Sequence, residues 1–143
     1  MIYEYVQSIN PIEQKLIDTF WPGALTIIFD KNTIVPDILT SGLSTVGIRI
    51  PNNKVCLELI DRFGRPLATS SANISDRDPA FSINDIIKKD FNNNVDFIID
   101  SGETNKLPST IVRVENNEII ILRNGSITKS DIKKCFGGNI NVR

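Results

Sequence analysis

The stretch WPGALTIIF, residues 21–29, predicts a tight turn followed by a buried strand. Pro22-Gly23 is a strong turn signal, and ALTIIF is rich in the β-branched and aromatic side chains that strands favour. The segment before it, residues 11–21, opens with a proline suited to a first helical turn and spaces its apolar side chains along one helical face. These features predict a helix–turn–strand unit near the start of the chain.

Helices and strands alternate along the remaining sequence. Strands are predicted at 45–50, 66–70, 95–100, 109–114 and 118–123, and a loop at 30–44. Helices are predicted at 54–63, ended by Gly64, at 83–91, capped by Ser82, and at 130–136. Asn116-Asn117 predicts a hairpin between the last two strands. This order predicts one α/β or α+β domain over residues 1–143, with helices packed on a sheet.

The composition excludes several kinds of chemistry. The chain has 143 residues, a formal net charge of −1 and no histidine, so its own residues cannot form a Ser-His-Asp triad, a Cys-His pair or a histidine zinc site. Cys56 and Cys135 form no CxxC pair, and we expect free, buried thiols in a reducing cytosol. The sequence contains neither a signal-peptide pattern nor an apolar run long enough for a membrane span, which favours a cytoplasmic protein without a membrane partner.

Several polar residues follow apolar runs and are candidate ligands. Arg49 stands between Ile48 and Ile50 in a predicted strand. If both faces of this strand are covered, Arg49 needs an anion as a partner; if the strand is half-exposed, Arg49 lies on its polar face in water. Periodicity alone favours the half-exposed strand. The segment 69–75 carries four hydroxyls and an amide, which suit either phosphate oxygens or a local turn. Arg123 opens another polar turn. The basic pairs Lys88-Lys89 and Lys133-Lys134 are most simply solvated helix faces.

Five motifs in fixed order carry a family resemblance between residues 21 and 127. They are WPGALTIIF, STVGIRIPNN, PLATSSANIS, PSTIVRV and ILRNGSI. Together they resemble the YrdC-like family of L-threonylcarbamoyladenylate synthases. The resemblance implies a twisted, open, mixed α/β sheet and a cytoplasmic nucleotidyltransferase that makes threonylcarbamoyl-AMP and pyrophosphate from L-threonine, bicarbonate and ATP for tRNA modification. It also implies Mg²⁺ and no prosthetic group, and older labels of the family are translation factor and double-stranded RNA binding.

The resemblance also implies a set of binding residues. Those expected to contact ATP are Thr45, Ser71, Asn73, Pro79 and Arg123, and those expected to hold L-threonine are Arg49, Thr69 and Ser109. No protein nucleophile is implied, because the amine of threonine captures carbon dioxide and the resulting carbamate attacks the α-phosphate. No protein ligand for the metal is assigned. In this interpretation Arg49 binds the threonine carboxylate.

The chain resembles the C-terminal two-thirds of the family domain. A threonine-bearing motif and a Lys/Arg motif of the family are not found in it, so we expect weak or no synthase activity from this chain alone. Self-association, or a separate chain that supplies the missing part, is also expected. The alternatives are a non-functional fragment and a non-catalytic tRNA or double-stranded RNA-binding module. In that module the groove would be lined by Arg49, Arg65, Arg77, Lys88 and Lys89.

Overall fold

A mixed four-stranded sheet with helices forms the described part of the protein. The computed structural model describes residues 1–73, 79–88, 95–100, 102 and 107–143. The helices are Pro11–Phe20 (α1), Lys54–Phe63 (α2), Ile83–Lys88 (α3) and Lys129–Cys135 (α4). The strands are Leu25–Asp30 (β1), Thr45–Ile48 (β2), Thr110–Glu115 (β3) and Glu118–Arg123 (β4), in the sheet order β2-β1-β3-β4. β1 is parallel to β3, and the other pairs are antiparallel, which confirms the predicted mixture of helices and strands.

The described residues divide into two compact units. The first contains Met1–Leu67 and Pro108–Arg143, and it holds the sheet with α1, α2 and α4. The second contains Ala68–Leu107 and holds α3. The single domain over residues 1–143 stays a prediction.

Local capping explains where α1 begins. The Asn10 side chain accepts hydrogen bonds from the backbone N–H groups of Ile12 and Glu13, both at 2.9 Å, and the Glu13 carboxylate accepts one from Asn10 N–H at 2.8 Å. This capping box satisfies N–H groups that the first helical turn cannot pair. After α1, a Cβ added to Gly23 would lie 2.2 Å from Phe20 O, so only glycine fits the turn into β1. The predicted helix–turn–strand unit is confirmed.

The core lies on one face of the sheet. Leu25, Ile27 and Phe29 of β1 point to this face and are buried, together with side chains from β3, β4 and the two helices that cover it. These partners are Leu16 of α1, Val112 of β3, Ile119 of β4 and Ile132 of α4. Because side chains alternate along a strand, Thr26 and Ile28 point to the opposite face of the sheet.

Two predicted strands are wrong, and others have shifted ends. Residues 66–70 and 95–100 are not strands, because apolar content alone does not form a strand without a paired neighbour, and Phe97 is 83% exposed. β2 ends at Ile48, two residues early, because the backbone carbonyl of Ile50 accepts instead from Gly23 N–H at 2.8 Å. The predicted loop 30–44 contains a short 3-10 helix, Asp37–Thr40.

The predicted helices and the hairpin are found close to their expected positions. α2 spans 54–63 and ends at Gly64, whose φ of 70° is left-handed. Asn116 and Asn117 also have positive φ, as a two-residue hairpin turn requires. α4 begins one residue early, and residues 89–91 of the other predicted helix lie outside the described residues. Both cysteines are free, as expected, but they are half-buried rather than buried.

Glu13 makes stability depend on pH. Burial raises the pKa of the Glu13 carboxyl. The hydrogen bond from Asn10 N–H lowers this pKa, and the negative charge of Asp30 raises it further. Because the folded-state pKa of Glu13 is raised, protonated Glu13 contributes fully to stability below its unfolded-state pKa of about 4.3. This contribution is lost as the pH rises through the folded-state pKa. Glu13→Gln keeps the acceptor without the charge, so it is expected to raise Tm at pH 7 and to leave it nearly unchanged near pH 4. Thermal denaturation at both pH values tests this, and a lower Tm for Glu13→Gln at pH 7 would contradict it.

Candidate functional site

The sheet face opposite the core carries Thr45, one of the residues predicted to contact ATP. In the β1–β2 pairing, Asp30 lies opposite Thr45 and Ile28 lies opposite Gly47. Thr26, Thr45 and Gly47 therefore share the face that points away from the core. Gly47 is exposed, and a Cβ added there would lie 3.1 Å from Ile28 Cδ1 and 3.4 Å from Thr26 Cγ2. A strand glycine of this kind leaves room for a ligand to approach the sheet closely.

Three polar side chains meet beside this face: Thr26 of β1, Ser109 immediately before β3, and Arg123 at the end of β4. The guanidinium of Arg123 donates to the backbone carbonyl of Ser109 from Nε at 3.1 Å and from Nη2 at 2.8 Å. Nη2 also donates to Ser109 Oγ at 2.9 Å, and Thr26 Oγ1 lies 2.9 Å from the same Oγ. We call this group the Thr26–Ser109–Arg123 network. It joins one residue predicted to bind threonine with one predicted to bind the nucleotide.

The loop after β4 holds Ser109 in position. A Cβ added to Gly125 would lie 2.4 Å from Pro108 O and 2.5 Å from both the carbonyl carbon of Ser109 and Thr110 N, so the two backbones are in close contact. Ser126 N–H donates to Pro108 O at 3.0 Å. The buried Thr110 hydroxyl donates to the backbone carbonyl of residue 127 at 2.6 Å and accepts from its N–H at 3.0 Å. Ser109 itself is only 9% exposed, so its hydroxyl has little freedom to move.

Arg49 lies just beyond the end of β2 and is exposed. Within the described ranges it has no carboxylate at ion-pair distance, whereas Arg113 is paired with Asp30 at 3.6 Å and with Glu115 at 2.9 Å. The exposure of Arg49 agrees with the interpretation from periodicity, in which Arg49 lies on the polar face of a half-exposed strand in contact with water. An exposed guanidinium without an internal carboxylate can bind an external anion, and its role toward threonine stays a prediction.

The remaining predicted site residues lie in the second unit. Thr69, Ser71 and Pro79 are exposed, and Asn73 is half-buried. Asn73 N–H donates to Ser71 O at 3.0 Å, so residues 71–73 form a local turn. Their contacts with ligand stay predictions. Of the basic residues proposed for RNA, Arg65 is exposed, the side chain of Lys88 is not described, and Arg77 and Lys89 lie outside the described residues.

Thr26 is the site residue that sequence reasoning missed. In the run ALTIIF its β-branched side chain is typical of a strand and does not mark a site. The available signal was its position, because it is the one polar residue of that run and alternates with the buried Leu25 and Ile27. Only the pairing of β1 with β3 shows that its hydroxyl meets Ser109.

The fold and the network define an α/β-sheet protein that presents hydroxyl and guanidinium donors suited to a small anionic ligand. Residues 1–125 match the sequence model of the Sua5/YciO/YrdC family, described as "Telomere recombination". The chain belongs to the Sua5/YciO/YrdC family, which confirms the resemblance found in the motifs. None of the helices in the described segments combines the length and the hydrophobicity that a membrane span requires.

Two curated relatives carry the name threonylcarbamoyl-AMP synthase, one of them as a putative assignment. The chain is 36% identical over 125 residues to the enzyme of Pyrococcus abyssi, covering 87% of this chain and 36% of the relative. It is 39% identical over 134 residues to a putative threonylcarbamoyl-AMP synthase of Methanocaldococcus jannaschii, covering 93% of this chain and 60% of that relative. This chain therefore spans less than two-thirds of the length of these relatives.

Solved structures agree with the family assignment. The structure of P. abyssi Sua5 complexed with L-threonine matches with a TM-score of 0.90 and 32% identity, over 99% of this chain and 42% of that protein. Escherichia coli YciO matches with a TM-score of 0.76 at 22% identity, which supports the fold alone. The predicted fold class is confirmed by both.

Proposed function

We propose that this protein takes part in making L-threonylcarbamoyl-AMP and pyrophosphate from L-threonine, bicarbonate and ATP, for the modification of tRNA. The main observation behind the proposal is the buried Ser109 hydroxyl, which accepts a hydrogen bond from Arg123. It occurs in a chain that is similar, over 99% of its length, to a protein whose structure is complexed with L-threonine. The names of two relatives support threonylcarbamoyl-AMP as the product.

The proposed chemistry needs no nucleophile from the protein. Bicarbonate-derived carbon dioxide joins the threonine amine with loss of a proton, and an oxygen of the resulting carbamate attacks the α-phosphorus of ATP. The bond from that phosphorus to the bridging oxygen breaks, and pyrophosphate leaves. Two anions must be aligned, so positioning and positive charge supply the catalysis.

The donors of this chain suit those two tasks. The Arg49 guanidinium can hold the threonine carboxylate through two parallel hydrogen bonds. Arg123 has five N–H donors, of which Nε–H and both hydrogens of Nη2 are directed at Ser109. The two hydrogens of Nη1 have no acceptor among the residues described, and we propose that they face phosphate oxygens.

Mg²⁺ is proposed to arrive with the nucleotide. Within the described part of the chain, no three acidic or cysteine side chains are grouped so as to hold a metal ion. Mg²⁺ commonly binds through one or two protein ligands together with substrate phosphates, so a dedicated protein cage is not needed. When bound, it would neutralise charge on the leaving pyrophosphate.

Ligand binding followed by turnover tests the proposal. L-threonine and ATP, alone and together, should raise Tm by several degrees at saturation. Pyrophosphate release that requires ATP, bicarbonate and threonine together then measures activity. The absence of any thermal shift would refute the retained site. RNA binding that weakens steeply with salt, without a threonine effect, would support the RNA-binding alternative.

Self-association is a further proposal for the chain. β2 is the terminal strand of the described sheet, and the segment leading into it exposes four aliphatic side chains. They are Ile34, Ile38, Leu39 and Leu43, between 55% and 88% exposed. An open strand edge beside such an apolar surface favours pairing between copies. Light scattering coupled to size exclusion should give a mass that rises with concentration, and a constant monomer mass would contradict this.

A further inference from the structure

We infer that Thr26 is a positioning residue that turns the hydroxyl of Ser109 toward the bound ligand. This inference rests on the proposed function, because it assigns a task to a residue next to the proposed threonine site. Thr26 acts through Ser109, and its hydroxyl is not required to contact the substrate.

The hydrogen-bond inventory of Ser109 Oγ carries the inference. A serine hydroxyl has one hydrogen to donate and two lone pairs that accept. Arg123 Nη2 donates to Oγ at 2.9 Å and occupies one lone pair. The contact with Thr26 Oγ1 at 2.9 Å can run in either direction. If Ser109 donates to Thr26, its only hydrogen is used. If Thr26 donates to Ser109, both lone pairs are filled and the hydrogen of Ser109 is available to a ligand.

An anionic ligand selects the second arrangement. A carboxylate or carbamate oxygen is a stronger acceptor than a neutral hydroxyl, so Ser109 donates to the ligand and Thr26 donates to Ser109. The backbone keeps the two hydroxyls close, because Thr110 N–H donates to Ala24 O at 2.9 Å and Leu25 pairs with Thr110 between β1 and β3. Thr26 thereby makes Ser109 a directional donor.

Thermal denaturation without ligand tests whether the two hydroxyls are coupled. Thr26→Val removes the hydroxyl and keeps the β-branched shape, and Ser109→Ala removes the partner. Both single variants should lower Tm, and the double variant should lower it by about 3 °C less than the two losses added together. Additive losses would overturn the inference whatever the chain binds.

Calorimetric titration with L-threonine, with and without ATP, tests the orienting role. Thr26→Val should weaken binding about 10-fold, and Thr26→Ser, which restores the hydroxyl, should stay within about 3-fold of the original chain. Thr19→Val is the matched control, because it removes an exposed hydroxyl of α1 that donates to Lys15 O. This variant should bind L-threonine as tightly as the original chain.

The outcomes separate the inference from the proposed function. Unchanged binding by Thr26→Val, or equally weak binding by Thr26→Ser, would overturn the positioning role while the threonine site stands. If the original chain binds no threonine, with or without ATP, the proposed function fails and the orienting role of Thr26 fails with it. The thermal denaturation of the ligand-free variants then still shows whether the hydroxyls of Thr26 and Ser109 are coupled.

Discussion

Replacing Arg49 with alanine is expected to abolish the threonine-induced rise in Tm and to weaken threonine binding about 100-fold. A bidentate bond between a guanidinium and a carboxylate combines charge with fixed geometry, and hydrogen bonds to charged groups are each worth about 1.5–3 kcal/mol. Because Arg49 is exposed and forms no ion pair within the described ranges, ligand-free stability should change by no more than about 0.5 kcal/mol. Calorimetric titration and thermal denaturation measure the two effects separately.

Two other arginine variants give the controls for Arg49→Ala. Arg49→Lys keeps the positive charge but loses the fork geometry, so its binding should be intermediate. Arg65→Ala removes an exposed arginine elsewhere in the first unit and should leave threonine binding unchanged. A normal threonine response in Arg49→Ala would remove Arg49 from the site. Equal losses of RNA binding in Arg49→Ala and Arg65→Ala would instead support the RNA-binding alternative.

Replacing Gly125 with alanine is expected to lower the free energy of unfolding by about 3 kcal/mol, or Tm by about 10 °C. The added Cβ would lie within 2.5 Å of three backbone atoms in residues 108–110, and the backbone cannot move aside as a flexible side chain can. The displacement moves Ser109, so threonine binding should also fall in the fraction that remains folded. Urea denaturation gives the stability change, and titration below the lowered Tm gives the affinity.

The neighbouring Asn124 provides the control for Gly125→Ala. Asn124 is exposed, and Asn124→Ala should change the free energy of unfolding by less than about 0.5 kcal/mol. If Gly125→Ala were as stable as the original chain, the close contact between this loop and Ser109 would not exist in solution.

The elements that were predicted well depend on short-range interactions. α1 is specified by the capping box of Asn10 and Glu13, and α2 ends at a left-handed Gly64. The hairpin turns at two asparagines that adopt positive φ. Each of these features needs hydrogen bonds or backbone angles within a few residues, so the sequence pattern is sufficient to locate them.

The elements that were predicted wrongly depend on partners distant in the sequence. Residues 66–70 and 95–100 have the composition of strands, but a strand forms only when a neighbour pairs with its backbone groups. The predicted end of β2 is wrong for the same reason, since Ile50 O accepts a hydrogen bond from Gly23 N–H rather than along the sheet. Composition therefore overestimates strands where the pairing partner is not specified locally.

Local patterns in the sequence are sufficient to locate the helix–turn–strand unit around WPGALTIIF, the hairpin between β3 and β4, and the family motifs. The contact of Thr26 with Ser109, 83 positions away, and the bonds from Arg123 to the carbonyl and hydroxyl of Ser109 depend instead on how the chain packs. Strand register explains this difference. A shift of one residue between β1 and β3 would turn Thr26 into the core, and that register is set by the long-range packing of the buried face.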